Sequence, residues 1–113
     1  VRGPDAAEFL HRIYLNNVLN LKPGAGRYGL MLNENGIIID DGIFARISET
    51  HFVVSTTSGG ASRIYNMMEE WLQCEWVDLN VTVTNSTTAW ANVTIAGPKA
   101  STGASRLARP RQR

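Results

Sequence analysis

The sequence predicts an α+β fold with a mainly antiparallel sheet and two main helices. Two segments repeat apolar residues at helical spacing, and five segments are predicted strands, four of them rich in β-branched residues. Their order along the chain is α-β-β-β-α-β-β, and strands that follow one another through short turns usually pair in the antiparallel sense. With 113 residues the chain is long enough for one small domain with one core.

The first helix is predicted just after Pro4, a residue that suits the first turn of a helix. Asp5 and Glu8 place negative charge near the positive end of this helix. Apolar residues recur at positions i, i+3, i+4 and i+7, and they are Ala6, Phe9, Leu10 and Ile13. We expect the helix to end near Asn16-Asn17, before a loop rich in glycine.

A β-hairpin is predicted next, with its turn at Asn33-Glu34-Asn35-Gly36, because Asn and Gly tolerate the positive φ that hairpin turns need. Side chains alternate between the two faces of a strand. Alternation puts Asp41 on a face whose other members are apolar, namely Ile37, Ile39, Ile43, Ala45 and Ile47. Asp40 falls on the opposite, mixed face, where it can be an ordinary strand-edge carboxylate near Arg46.

Asp41 is therefore the candidate functional residue, because a buried carboxylate needs hydrogen bonds, a cation or a proton. One interpretation is a structural acid bonded to backbone N–H groups or to an arginine. The other interpretation is a site residue that meets a ligand at the surface of the sheet. Gly42 favours the second, since a glycine within a strand often marks the close approach of a ligand.

The second half of the chain predicts a strand over 51–57, a helix after Ser58-Gly59-Gly60, and two strands over 81–84 and 89–96. Residues 58–60 are either an anion-binding helix start or a simple N-terminal turn. One face of this helix is predicted to join the core, and it consists of Ile64, Met67, Met68, Trp71 and Leu72. Cys74 is expected to be a small buried apolar residue.

The end of the chain differs in composition from the rest. From Lys99 on there are five basic residues and no acidic ones, whereas residues 1–98 hold six basic and ten acidic residues. We interpret residues 1–100 as the domain and residues 101–113 as a basic tail, disordered or non-native. The single cysteine fits a reducing, cytoplasmic compartment, no apolar run is long enough to span a membrane, and no metal-ligand spacing appears.

Several motifs occur in order over residues 1–100. They are Gly3-Pro4-Asp5-Ala6, Phe9-Leu10, Tyr28, Leu32-Asn33-Glu34-Asn35-Gly36, Asp40-Asp41 and Ala96-Gly97-Pro98-Lys99-Ala100. Their order and spacing resemble the folate-binding domain of the glycine-cleavage T-protein, an aminomethyltransferase. Within that superfamily the chain is most similar to the C-terminal part of the α subunit of heterotetrameric sarcosine oxidase. That similarity is carried by Asp40-Asp41-Gly42, Ala45-Arg46, Glu70-Trp71-Leu72-Gln73 and Trp90-Ala91.

The resemblance implies a ferredoxin-like lobe that binds tetrahydrofolate. It implies that Asp41 lies by the pterin nitrogens and acts catalytically, and that Tyr28 lines the folate site. Thr57 stands where T-proteins carry a folate-contacting Asn, so it is a third candidate cofactor-binding residue. In sarcosine oxidation the iminium product must meet the folate nitrogen, and a fixed carboxylate can orient the folate and stabilise that cation.

The first hypothesis is a folate-binding lobe of a sarcosine oxidase α-like subunit that serves sarcosine demethylation. The resemblance implies that flavin and NAD bind to regions outside this chain and that other subunits of a hetero-oligomeric oxidase are its partners. We expect an incomplete folate site that does not catalyse sarcosine oxidation alone. The rival hypothesis is a stand-alone α+β binding or interaction module. One form of it contacts RNA through the basic residues 99–113, where no aromatic residues are interleaved. No membrane partner is expected.

Overall fold

The computed structural model describes residues 1–107 and has an antiparallel sheet of three strands in the order β1-β2-β3. The predicted α+β class is confirmed. The helices are α1 (Ala6–Ile13), α2 (Ala61–Glu70) and α3 (Ala100–Leu107), and the strands are β1 (Gly26–Leu32), β2 (Ile38–Ser48) and β3 (His51–Ser55). α1 and α2 pack against one face of the sheet, which is called the inner face here and carries Met31, Phe44 and Phe52.

The apolar face of α1 is buried as predicted, because Ala6, Phe9, Leu10 and Ile13 all join the core. The helix is shorter than expected and ends at Ile13, not near Asn16-Asn17. The following residues pair with β1 instead. Tyr14 forms a β-bridge with Met31, and the Asn16 Oδ1 atom accepts a hydrogen bond of 3.0 Å from the Leu30 amide.

The hairpin turn forms where the sequence predicts it. Gly36 adopts a φ of 76°, which an L-residue rarely adopts, and its amide donates to the Asn33 carbonyl at 3.0 Å. The Asn33 side chain closes the turn, since its Oδ1 accepts hydrogen bonds from the amides of Asn35 and Ile37 at 3.0 and 2.9 Å. β1 and β2 then pair in register, with an irregularity between Met31 and Leu32.

The predicted facing of β2 is wrong. Asp40 and Phe44 are buried on the inner face, whereas Asp41, Ile43 and Ile47 are exposed on the outer face. A count of isoleucines predicts the opposite facing, but it leaves out the size of Phe44. Phe44 is the largest side chain of the strand, and its ring packs against Tyr14 with a centroid distance of 5.3 Å.

α2 contributes the predicted apolar face to the core, with Ile64 and Met68 buried and Met67, Trp71 and Leu72 packed beside them. Cys74 is exposed, which contradicts the expectation of a buried residue. It lies in a π-helical turn, Trp71–Glu75, closed by a bond of 2.7 Å from the Trp76 amide to the Trp71 carbonyl. The expectation rested on residue type alone, since free cysteine is usually buried, and the position of Cys74 in this turn leaves it exposed instead.

The two strands predicted over 81–84 and 89–96 do not form as sheet strands. Thr82 makes only an isolated bridge with Arg2, and residues 91–96 run without sheet pairing. β-branched residues favour an extended backbone, but a strand also needs a partner with unpaired backbone groups. The alternating Val and Thr residues favour an extended backbone, but the sequence pattern does not provide a strand with which they can pair.

Residues 101–107 belong to α3. They are the first part of the tail that was predicted to be disordered or non-native. Pro98 lies just before this helix, and alanines at 100 and 104 favour it. The domain boundary at residue 100 stays a prediction, and residues 108–113 of the predicted tail lie outside the described residues. None of the helices formed within residues 1–107 is both long and apolar enough to cross a membrane.

Candidate functional site

The outer face of the sheet carries the candidate site and is defined here by Tyr28, Asp41, Ile43 and Ile47. Tyr28 pairs with Ile43, and Leu30 pairs with Asp41, across β1 and β2. Tyr28 and Asp41 are therefore diagonal neighbours on the same face, a relation that typically separates residues by about 7–8 Å. Tyr28 is 77% exposed and Ile43 is 42% exposed, so an aromatic ring and an aliphatic side chain flank the carboxylate in contact with solvent.

Asp41 is exposed, which rules out the interpretation that it is a buried structural acid. Its carboxylate needs no compensating donor from the core, since water solvates it. It lies among apolar side chains of the outer face, where a bound ligand would displace that water. An acceptor beside an aromatic ring suits a flat ligand that carries N–H groups at one edge.

Asp40 occupies the position that was predicted for Asp41. It is 4% exposed, and its Oδ1 accepts hydrogen bonds from the Thr57 amide at 3.2 Å and the Thr57 hydroxyl at 2.5 Å. The expected neighbour Arg46 is engaged elsewhere, with its guanidinium 2.7 Å from Glu49 Oε2. The view of Asp40 as an ordinary strand-edge carboxylate near Arg46 is therefore wrong.

Thr57 lies at the end of β3, where the chain turns into α2. Its hydroxyl donates to Asp40 on the inner side, so the structure joins Thr57 to Asp40 and brings Tyr28 together with Asp41. Residues 58–60 form a short 3-10 turn, and the Gly60 amide donates to the Thr57 carbonyl at 2.9 Å. This bond, made by the last amide of the turn, is typical of a simple N-terminal turn.

Tyr14 is a buried polar residue that the sequence reasoning missed. It is 3% exposed, and its hydroxyl has no hydrogen-bond partner within residues 1–107. Burial, and secondarily the negative charge of Asp40, raise the pKa of Tyr14 well above its ordinary value. The signal that could have found this residue is Gly29, which leaves room on the inner face for an aromatic ring, since a Cβ atom there would lie 2.6 Å from Tyr14 Cδ1.

A groove of about 330 Å³ continues the outer face beyond the candidate site. The segment 92–94 forms one wall, and the sheet forms the other. The lining residues are Ile43, Ala45, Val53, Ser55, Asn92, Val93 and Thr94. The groove therefore combines aliphatic contacts with amide and hydroxyl groups next to the strand that carries Asp41.

Comparison with known proteins assigns this chain to one family of domains. Residues 1–111 match the family described as the GCVT N-terminal domain, and the chain belongs to that family.

Among curated proteins, the chain is 48% identical over 99 residues to the sarcosine oxidase subunit alpha of Corynebacterium sp. (strain U-96), a match that covers 88% of the chain and 10% of that subunit. It is 46% identical over 100 residues to the sarcosine oxidase subunit alpha of Rhizobium meliloti (strain 1021), again 88% of the chain and 10% of the subunit. The aminomethyltransferase of Corynebacterium aurimucosum is 38% identical over 100 residues, which are 88% of the chain and 26% of that enzyme. The chain thus spans a small part of each relative.

A solved structure gives the same relationship. The glycine cleavage system aminomethyltransferase T from Bartonella henselae superposes with a TM-score of 0.60 and 34% sequence identity. The superposition covers 63% of this chain and 20% of that enzyme. The described fold is accordingly one part of a larger domain architecture in its relatives.

Proposed function

We propose that this chain is a tetrahydrofolate-binding lobe of a sarcosine oxidase α-like subunit. In this role it serves the oxidative demethylation of sarcosine and one-carbon transfer to folate. The observation that carries the proposal is the neighbouring position of Asp41 and Tyr28, both exposed on one apolar face of the sheet. Family membership and the sarcosine oxidase relatives support this class of function over others.

The residues present fit a reduced folate. A pterin is a flat ring with N–H donors at its edge, and an exposed tyrosine ring supplies a surface on which such a ring can stack. A carboxylate beside that surface accepts hydrogen bonds from the donors. Tyr28 and Asp41 offer these two features, and the aliphatic side chain of Ile43, which pairs with Tyr28, lies beside them on the same face.

When bound, tetrahydrofolate supplies the nitrogen that accepts a one-carbon unit. The role of Asp41 in this proposal is to orient that nitrogen through hydrogen bonds and to stabilise the positive charge of an approaching iminium. A fixed charge aimed at a developing cation lowers the barrier without rearranging at the moment of reaction. The surrounding apolar side chains strengthen that interaction, because they lower the local dielectric constant.

Thr57 is the third residue of the proposed folate site. Its hydroxyl proton is committed to Asp40, so the contact we propose uses its remaining exposed atoms or acts through that bond. We further propose that flavin and NAD bind to other regions of the complete enzyme and that the chain assembles with other subunits. The match to the family over residues 1–111 does not favour the rival idea of a stand-alone RNA-binding module.

The experiment is a calorimetric titration with 5-formyltetrahydrofolate, performed on the longest natural polypeptide that contains residues 1–113. The variants are Asp41→Asn, which keeps the size and removes the charge, and Tyr28→Leu, which removes the aromatic ring. Asp78→Asn is the matched control, because Asp78 is an exposed aspartate outside the outer face. We expect Asp41→Asn to weaken binding about tenfold or more, since hydrogen bonds to a charged group contribute about 1.5–3 kcal/mol.

Equal affinity of the unchanged protein, Asp41→Asn and Asp78→Asn would refute the role of Asp41. Salt-sensitive RNA binding that disappears when residues 99–113 are removed, with no folate binding, would favour the rival function.

A further inference from the structure

We propose that Asp40 is a positioning residue for Asp41. Its buried carboxylate, held by Thr57, fixes which way β2 faces and so keeps Asp41 on the outer face beside Tyr28. This inference rests on the proposed function, because it concerns how the same folate site is kept in place.

The apolar pattern of β2 does not specify which of its side chains lie on the inner face. Ile43 and Ile47 lie on the exposed outer face, at 42% and 53% exposure, whereas Phe44 is fully buried on the inner face. A slip of one residue would exchange the two faces and bury the isoleucines. Burial of the two isoleucines would offset much of the free energy lost by exposing Phe44, so a polar interaction can decide between the two arrangements.

The hydrogen bonds of the buried Asp40 carboxylate make the slip of one residue less favourable. Thr57 gives Asp40 two donors on the inner side, its amide and its hydroxyl. The turn into α2 is packed around this contact, since a Cβ atom on Gly60 would lie 2.9 Å from Thr57 Oγ1 and 3.6 Å from Asp40 Oδ1. The carboxylate therefore connects β2 to the segment between β3 and α2.

The buried carboxylate depends on the Thr57 bonds, because its second oxygen forms no hydrogen bond within residues 1–107. Asp40 Oδ2 and the Tyr14 hydroxyl are both buried, and neither has a hydrogen-bond partner within residues 1–107. Tyr14 reaches this level of the sheet because it bridges Met31, the residue that pairs with Asp40. The inner side thus accommodates one carboxylate at residue 40, and only that position has the Thr57 donors.

Adjacent side chains on a strand point to opposite faces, so Asp40 and Asp41 are coupled by the backbone. If Asp40 is held inward, Asp41 must point outward. If Asp40 loses its donors, β2 loses one of the interactions that oppose the slip, and Asp41 spends less time beside Tyr28. Thr57 then affects folate binding through Asp41.

The test is a double-mutant cycle on the longest natural polypeptide that contains these residues, with 5-formyltetrahydrofolate as the ligand. Thr57→Val removes one hydroxyl and keeps the side-chain shape. We expect it to weaken binding about tenfold when Asp41 is present and less than about twofold in the Asp41→Asn background. Thr50→Val, a change of an exposed threonine in the β2–β3 turn, is the control and should leave affinity unchanged.

Equal losses in the two backgrounds would overturn the proposal, because Thr57 would then act on folate independently of Asp41. If Asp41→Asn alone has no effect, the proposed function fails instead, and the positioning is decided by a measurement without ligand. That measurement is hydrogen exchange of residues 38–48, read by mass spectrometry. Faster exchange in Asp40→Asn and Thr57→Val than in Thr50→Val supports the positioning, and unchanged exchange refutes it.

Discussion

The ring of Tyr14 lies directly over Gly29, so that a Cβ atom on this glycine would be 2.6 Å from Tyr14 Cδ1. The same atom would be 2.7 Å from Phe44 Cε1. Gly29 therefore allows an aromatic pair to approach the backbone of the sheet, whereas Gly42, its partner across the hairpin, is close to the Ser55 carbonyl of β3 instead. This aromatic pair forms part of the inner face against which α1 and α2 pack.

Gly29→Ala is therefore expected to destabilise the chain by about 1–3 kcal/mol, the usual effect of overpacking a core. Gly26→Ala is the matched control in the same strand, because its Cβ atom would meet nothing closer than 3.7 Å. Urea unfolding followed by tryptophan fluorescence gives both free energies. Similar values for the two variants would show that the Tyr14 ring adapts at no cost.

Tyr14 predicts a decline in stability at alkaline pH. Its pKa is raised in the folded state by burial first and by the charge of Asp40 second, relative to an ordinary value of 10.0. The unfolded chain therefore loses this proton at a lower pH than the folded chain does, and the free energy of unfolding falls as the pH rises above 10. Tyr14→Phe should remove this part of the decline, which unfolding measurements between pH 8 and about 11 can detect. An unchanged pH profile in Tyr14→Phe would contradict the assignment.

Arg46 is predicted to stabilise the fold more than its ion pair suggests. Its guanidinium donates to the carbonyls of Leu21 and Glu49 at 2.8 and 2.9 Å and lies 5.2 Å from the centre of the Phe52 ring. Arg46→Ala should lower the free energy of unfolding by about 2 kcal/mol, because the part-buried Leu21 carbonyl and the Glu49 carbonyl lose a charged donor. Glu49→Ala should cost less than about 1 kcal/mol, since the Glu49 side chain is 75% exposed and surface ion pairs contribute little. Comparable losses in thermal unfolding would mean that the ion pair dominates.

Gly36 is predicted to be the least replaceable residue of the hairpin turn. Its φ of 76° is unfavourable for any residue with a Cβ atom, so Gly36→Ala should destabilise the chain by about 1–2 kcal/mol. Gly59→Ala serves as the control, because Gly59 has no positive φ and a Cβ atom there would meet nothing within 4 Å. Chemical denaturation of the two variants makes the comparison, and a neutral Gly36→Ala would indicate that the turn can change its type.

The sequence predicts some of these features well because they are local. The helical spacing of Ala6, Phe9, Leu10 and Ile13, and the Asn-Gly turn, each depend on interactions within a few residues. The facing of β2 is different, since it depends on Phe44 meeting Tyr14 and on Asp40 meeting Thr57, which are distant along the chain. Counting isoleucines therefore gave the wrong buried face and exchanged the surroundings of Asp40 and Asp41.

The two C-terminal strands were overpredicted for a similar reason. Alternating Val and Thr near residues 81–84 favour an extended backbone, but Thr82 finds only a single bridge, to Arg2. The candidate site was predicted in part, since the diagonal position of Tyr28 and Asp41 follows once the hairpin register is known. The buried surroundings of Asp40, with Tyr14 close by, required the tertiary structure.

The part of the outer face that segment 92–94 leaves open also affects how the chain behaves in solution. Tyr28, Ile43 and Ile47 expose apolar surface on this one face, which favours self-association as the protein is concentrated. Salts such as ammonium sulfate strengthen apolar contacts, so the chain should precipitate early in salting-out. Low protein concentration and the absence of such salts are therefore the sensible conditions in which to handle it.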